Sequence, residues 1–367
     1  MWSAPFFSAF RWRVTSGWDQ SSDGVGRMTT GAVLAGVGAW LPPAVVTNTD
    51  LCSRLDTTQE WIESRTGIRE RRTVSNGVAT VDLAVEAGVR ALKSAGMFAV
   101  DAVVLATTSP DRTCPAGAPE VASRLGLGNV AAFDLTSACS GFVYGLATCA
   151  GLIATGVAES VLFIGAEAFS TFVNPADRTT APIFGDGAGA VVLRRGDGDE
   201  PGAIGPFDLG SDGRHADLLA VFGGGSRQRA ANGLGHADVP AEDWYLSMSG
   251  RAVYQHAVAR MTASARTVLD RAGWSATDVD RFAGHQANLR IITSVAQQLC
   301  IPHDRVLANI DRTGNALAAS IPILLAETAA SGELSAGQRV LVTAFGAGLS
   351  WGSTVLEWPD ITADSLI

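Results

Sequence analysis

The sequence predicts a layered α/β protein assembled from two similar halves. Three observations predict it: short β-branched runs alternate with alanine-rich stretches from Gly31 onward, a glycine-rich turn followed by an apolar run occurs twice, and each half carries one strand-turn-helix unit. Gly31 to Leu41 opens the pattern and stops at Pro42-Pro43, too short a run to cross a bilayer. Val103–Ala106 and Val161–Ile164 are apolar without alternation, as strands covered on both faces are. Ala132–Leu135 leads through Thr136-Ser137-Ala138 to Cys139 and a helix over Ser140–Thr155 that is apolar all round, hence buried, and ends at Gly156. Gly185-Asp186-Gly187-Ala188-Gly189 precedes the run Val191–Leu193.

Hydrophobic periodicity lapses between Gly196 and Gly213, where turn residues dominate. The halves are therefore taken as residues 28–205 and 206–367. In the second, Val306–Ile310 reads as a strand leading through Asp311–Gly314 to Asn315 and an alanine-rich helix closed by Gly332. This mirrors the Cys139 unit and places Cys139 and Asn315 at equivalent strand-to-helix junctions. Phe345-Gly346-Ala347-Gly348 before Trp351–Leu356 repeats the glycine-turn pattern of the first half.

The 367 residues are 47% hydrophobic, enough for one large core or two fused cores. A formal charge of −9 argues against a nonspecific nucleic-acid binder. The five cysteines, at 52, 114, 139, 149 and 300, form no CxxC pair, so the reading is a reduced, soluble, cytoplasmic protein without metal site or disulfide framework. Residues 1–27, rich in Trp, Phe and Arg, read as a disordered extension ahead of Met28. An export or transit signal is the competing reading, against which Arg11 and Arg13 follow the aromatics.

A cysteine at the start of a buried helix faces unpaired N–H groups, which favour thiolate. Taken alone Cys139 is a small buried hydrophobe, as Cys52, Cys149 and Cys300 are read. Its company changes the reading: His285 stands in Gly284-His285-Gln286-Ala287-Asn288 and Asn315 in Gly314-Asn315-Ala316-Leu317. A lone histidine or asparagine at such a place is a satisfied core group or an N-cap, and His215, His236, His256 and His303 keep that reading.

Ser137-Ala138-Cys139-Ser140-Gly141-Phe142, Gly284-His285-Gln286-Ala287-Asn288-Leu289-Arg290-Ile291-Ile292 and Gly314-Asn315 resemble, in order, the three active-site motifs of the β-ketoacyl-acyl-carrier-protein synthase III family. Glu60-Trp61-Ile62, Arg65-Thr66-Gly67-Ile68-Arg69, Phe184–Ala190 and Phe345–Gly352 extend the resemblance over residues 30 to 358. It implies a thiolase-like, five-layered αβαβα fold, a homodimer, and a ping-pong condensation of acyl-CoA with malonyl-acyl-carrier protein (ACP), both substrates, with no cofactor. In it Cys139 carries the acyl group, His285 and Asn315 stabilise the malonyl enolate, and N–H groups of Cys139 and the Ala347-Gly348 turn hold the oxyanion.

The resemblance further implies that Trp61 and Arg178 sandwich the CoA adenine, with Thr57 and Arg65 beside it. Gly250, Ala287 and Asn288 then line the pantetheine tunnel. Cys114 occupies the place where a partner subunit's residue closes the acyl pocket. Its small side chain implies a primer larger than acetyl, with Phe184, Tyr254 and Phe345 shaping the remaining space. Gln255, Gln297 and Gln298 replace family lysines that dock the carrier, leaving Arg251 and Arg290 as nearby cations. With Gly284 and Ala316-Leu317 replacing usual motif residues, a specialised starter-unit synthase stays open beside a fatty-acid enzyme. Two other readings are an acyltransferase that transfers without condensing and a noncatalytic partner subunit.

Overall fold

The two uninterrupted apolar runs of the first half lie side by side as parallel strands, each residue buried. Around them the computed structural model describes residues 31–231 and 239–363. The expected extension over residues 1–27 lies outside the described residues. The first half runs β1 (Gly31–Trp40), β2 (Ala44–Thr47), α1 (Asn48–Cys52), α2 (Gln59–Thr66), β3 (Glu70–Thr73), α3 (Thr80–Ala95), β4 (Ala102–Ala106), α4 (Ala118–Arg124), β5 (Ala131–Leu135), α5 (Gly141–Ala154), β6 (Ser160–Glu167) and β7 (Gly187–Gly196). The second runs β8 (Ile204–Ser211), β9 (Leu219–Val221), α6 (Ser226–Ala231), β10 (Leu246–Met248), α7 (Gly250–Ala272), β11 (Arg281–Gly284), α8 (Leu289–Leu299), α9 (Ile310–Thr313), α10 (Ser320–Ala330), β12 (Arg339–Gly346) and β13 (Ser350–Glu357).

One sheet has the order β1-β7-β6-β4-β5 and the other β8-β13-β12-β11. In each, the first three strands are antiparallel neighbours and the next joins in parallel. The fifth strand of the second sheet is reduced to one parallel bridge, Phe282 with Val306. This corrects the expected strand over Val306–Ile310. After Leu307 donates to Phe282, Asn309 takes up α9, its carbonyl accepting from the Thr313 N–H, and the chain leaves the sheet.

The layers follow from which helix faces are apolar. α3 buries Val81, Leu83, Ala84, Ala87, Ala91 and Leu92 at helical spacing against β1, β6 and β7. α7 and α8 cover the other sheet in the same way. Between the sheets lie α5, packed on both, and α10, packed on β1, β7 and β11, with the largest apolar cluster around them. The result is five layers, αβαβα. Glycine permits the closest approaches: a Cβ on Gly165 would meet Ala318 O at 2.5 Å, and one on Gly189 would meet Ile323 N at 2.6 Å.

Candidate active site

Strand β5 ends at Leu135, and the chain turns through a 3-10 segment, Ala138–Ser140, into α5. Ala138 has φ 43°, a left-handed conformation costly for a residue with a Cβ. The elbow recurs in the second half at Leu317, φ 46°, heading the 3-10 segment Leu317–Ala319 before α10. The counterpart of Cys139 is therefore Ala318, and the expected equivalence with Asn315 is corrected by three residues. Asn315 lies on the loop before the elbow.

Cys139 is buried, and burial pushes its thiol up, with the Glu167 carboxylate adding to the shift. The expected helix-start thiolate is thus corrected: removal from water outweighs the few N–H dipoles of the elbow, and the resting group is a neutral thiol. His285 follows β11 and donates its backbone N–H to Thr343 O at 2.9 Å. Its ring is buried with neither nitrogen hydrogen-bonded, and burial lowers its pKa to about 3. The imidazole is neutral, with one N–H to donate.

Asn315 is fixed by its backbone. Its N–H donates to Ile183 O at 2.9 Å and its carbonyl accepts from Gly185 N at 3.0 Å. Side chains at Gly185 and Gly314 would break this contact: a Cβ on Gly185 would come 2.2 Å from Thr313 O, and Gly314 has φ 68°. The Asn315 Oδ1 accepts from Leu317 N at 3.0 Å, which leaves its NH2 as the free donor. Cys139, His285 and Asn315 all line one cavity of about 530 Å³. Cys139 also lines a second, of about 500 Å³, with Phe169, Phe172, Phe184, Val221, Leu246 and Leu317.

Comparison with known proteins agrees with this geometry. Family models for the two parts of 3-oxoacyl-(acyl-carrier-protein) synthase III match residues 133–213 and 269–358. A Streptomyces coelicolor β-ketoacyl-acyl-carrier-protein synthase III is 57% identical over 336 residues, covering 92% of this chain and 100% of that one. The crystal structure of the Pseudomonas aeruginosa synthase III superposes with a TM-score of 0.84 at 48% identity, covering 90% of this chain and 99% of that one. This chain belongs to the β-ketoacyl-acyl-carrier-protein synthase III family. A priming β-ketosynthase of a polyketide pathway is also similar, with a TM-score of 0.82, 34% identity, and 92% and 99% coverage.

In this synthase III chain Trp61, Arg65, Gly250, Ala287 and Asn288 line the first cavity, together with Arg251 and Arg290. Asn288 caps α8 through Arg290 N and donates to Arg65 O at 2.9 Å. The Arg178 guanidinium lies 5.4 Å from the centre of the Trp61 ring and pairs with Asp56 at 3.7 Å. Trp61 and Arg178 therefore stand closer than a stacked base between them requires. A base between them needs roughly 7 Å, twice the ~3.4 Å stacking rise. Thr57 does not line the cavity, and its hydroxyl is buried without a partner.

The acyl-pocket residues divide. Phe184 lines both cavities, whereas Tyr254 and Phe345 line only the first, and Cys114 is exposed and lines neither. Tyr254 is drawn to the first cavity because its hydroxyl pairs with Ser294 at 2.8 Å and Arg290 lies over its ring. Ala347 lines the second cavity, and Gly346 presses on the nucleophile's backbone: a Cβ there would come 2.7 Å from Cys139 N. Sequence reasoning missed Phe169, Phe172 and the β9–β10 ribbon, which no motif marks. It also missed Glu167, a carboxylate closing an otherwise apolar strand. Among the described residues no His, Cys, Asp or Glu cluster could hold a metal, and no helix is long and apolar enough to cross a membrane.

Proposed function

We propose that this chain condenses an acyl group taken from acyl-CoA with malonyl-ACP, with loss of carbon dioxide, to start a fatty-acid or polyketide chain. The observation that carries the reading is the position of Cys139, shared by a cavity holding two neutral hydrogen-bond donors and by a second, apolar one. Cys139 Sγ bonds to the acyl carbon and CoA leaves, carrying the thiol proton. The malonyl group then loses carbon dioxide, and the enolate carbon bonds to the acyl carbon as the bond to Sγ breaks and the sulfur takes up a proton. His285 and the Asn315 NH2 donate to the enolate oxygen in a site where buried donors act strongly. The Cys139 and Gly348 N–H groups receive the tetrahedral oxyanion.

His285→Ala and Asn315→Ala are expected to retain acylation of Cys139 and to lose decarboxylation by about 10²–10³-fold. Labelled acyl-CoA and carbon dioxide release from malonyl-ACP read the two steps separately. Undiminished decarboxylation in both variants refutes the assignment. Acylated wild-type enzyme that releases no carbon dioxide would be a non-condensing acyltransferase, and an unlabelled chain a noncatalytic subunit.

The second cavity is the acyl site in this reading, and its size supports a primer longer than acetyl. Pockets of this volume hold ligands far larger than two carbons. Rates across acyl-CoA lengths are expected to peak at medium or branched chains, and strict acetyl-CoA preference overturns this. Arg251 and Arg290 line the cavity that takes the pantetheine arm and offer cations to an acidic carrier. The proposed enzyme is cytosolic and works as a homodimer through β5, an edge strand whose outer groups have no partner within the sheet.

A further inference from the structure

Three hydroxyls meet directly behind the nucleophile, from two segments about 210 residues apart in sequence. Ser137 and Ser140 flank Cys139 on the elbow; Ser350 begins β13 just after the Ala347-Gly348 turn. The Oγ atoms of Ser137 and Ser140 are 3.0 Å apart and those of Ser140 and Ser350 2.7 Å, and Ser350 Oγ donates to Ala347 O at 3.0 Å. Ser140 and Ser350 are buried. Ser137 also reaches Ser350 Oγ at 3.2 Å, Ser140 reaches Ser137 O at 2.8 Å, and Ser350 reaches Ser137 O at 3.4 Å. Each hydroxyl has one proton to donate. One arrangement that uses the shortest contact and gives every proton an acceptor runs Ser137 to Ser140 to Ser350 to the Ala347 carbonyl, and it is the one in which Ser350 makes its 3.0 Å bond to Ala347 O.

The end of that chain matters for the chemistry. Across a trans peptide the C=O and the following N–H point in opposite directions. Holding Ala347 O toward Ser350 turns the Gly348 N–H the other way. The same turn is pressed against Cys139 N through Gly346, where only hydrogen fits. The hydroxyl chain thus ties together the two backbone segments that supply the two oxyanion donors, one from each half of the molecule.

We propose that Ser137, Ser140 and Ser350 are positioning residues that hold the Gly348 N–H in register with the Cys139 N–H for the acyl-transfer step. This rests on the reading of Cys139 as the acylated group. The three serines line neither cavity; they act through the Ala347-Gly348 peptide. Removing the terminal hydroxyl frees that peptide to rotate, which weakens oxyanion binding without altering the tunnel that holds CoA.

The test is single-turnover acylation of the full chain by labelled acyl-CoA, with KM for acyl-CoA and the melting temperature measured alongside. Ser350→Ala is expected to slow acylation by about 10²-fold, the loss typical of one oxyanion donor, with KM and melting temperature near wild type. Ser350→Thr, which keeps the hydroxyl, is expected to recover most of the rate. Ser140→Ala breaks the chain one link earlier, serves if Ser350→Ala fails to fold, and is expected to slow acylation with KM unchanged. The proposal is overturned if the folded alanine variants acylate at the wild-type rate. It is equally overturned if the loss appears in KM or melting temperature and threonine does not restore the rate. Absence of label on wild-type Cys139 refutes the underlying reading instead, so the two failures are distinguishable.

Discussion

Glu167 is wholly buried at the end of β6 and takes its hydrogen bonds from the Thr107–Ser109 turn: Thr108 N at 3.0 Å, Ser109 N at 3.1 Å and Ser109 Oγ at 2.5 Å. Burial nevertheless raises its pKa to about 7, the donors only moderating the shift. The folded protein therefore keeps a proton that the unfolded chain releases above about 4.5. Stability from this group is full below that pH and is lost as pH rises through about 7, by up to about 1.4 kcal/mol per pH unit. His285 acts in the opposite direction: its lowered pKa stabilises the fold above about 6.5 and loses that contribution as pH falls toward about 3. Urea denaturation of Glu167→Gln should show the loss between pH 5 and pH 7.5 removed relative to wild type. Parallel pH curves for the two proteins would show that Glu167 does not titrate there. Cys139, His285 and Asn315 were marked out because each stands in a recognisable string, His285 and Asn315 directly after a glycine. Glu167 was not, because the donors that define it come from a turn about 60 residues away.

Among the elements, apolar periodicity located the strands and the buried helix well, since β4, β6 and α5 are decided by local pattern and confirmed by packing. The misreadings sit where a tertiary partner decides. Val306–Ile310 has strand composition, yet Asn309 N is taken by Gln286 Oε1 at 3.1 Å and the chain is drawn into α9. Asn315 looked like the twin of Cys139 because each precedes an alanine-rich helix. The twin is Ala318, recognisable only from the matching left-handed residues Ala138 and Leu317, and φ is not written in the sequence. The two elbows have diverged in use: one presents a nucleophile, and the other uses Leu317 N to orient the Asn315 amide three residues before its own tip. Trp61 and Arg178, expected on either side of one ligand, lie next to each other in the fold. The Arg178 guanidinium lies 5.4 Å from the centre of the Trp61 ring, within the range of cation–π attraction.

At the scale of the molecule, the second sheet has lost its fifth strand, whereas the first keeps β5 as an open edge. Ala131 N donates inward to Asp101 O at 3.3 Å, so alternation along a parallel ladder points the Ala132 and Asp134 N–H groups outward. An edge strand with unpaired N–H and C=O groups invites pairing with another chain, and a two-fold axis beside β5 would join two copies into one continuous sheet. Such a dimer also gives the exposed Cys114 a partner surface to meet, in keeping with its absence from both cavities of its own chain. Ala132→Pro removes one outward donor and leaves the inward bonds of Ala131 intact. Proline is tolerated on an edge strand, and the extended conformation it requires of Ala131 is already present. Sedimentation equilibrium should find wild type dimeric and the variant shifted toward monomer, with unchanged far-ultraviolet dichroism and reduced condensation that recovers at high protein concentration. A monomeric wild type, or a variant that stays as tightly dimeric, means that β5 is not the surface through which this enzyme assembles.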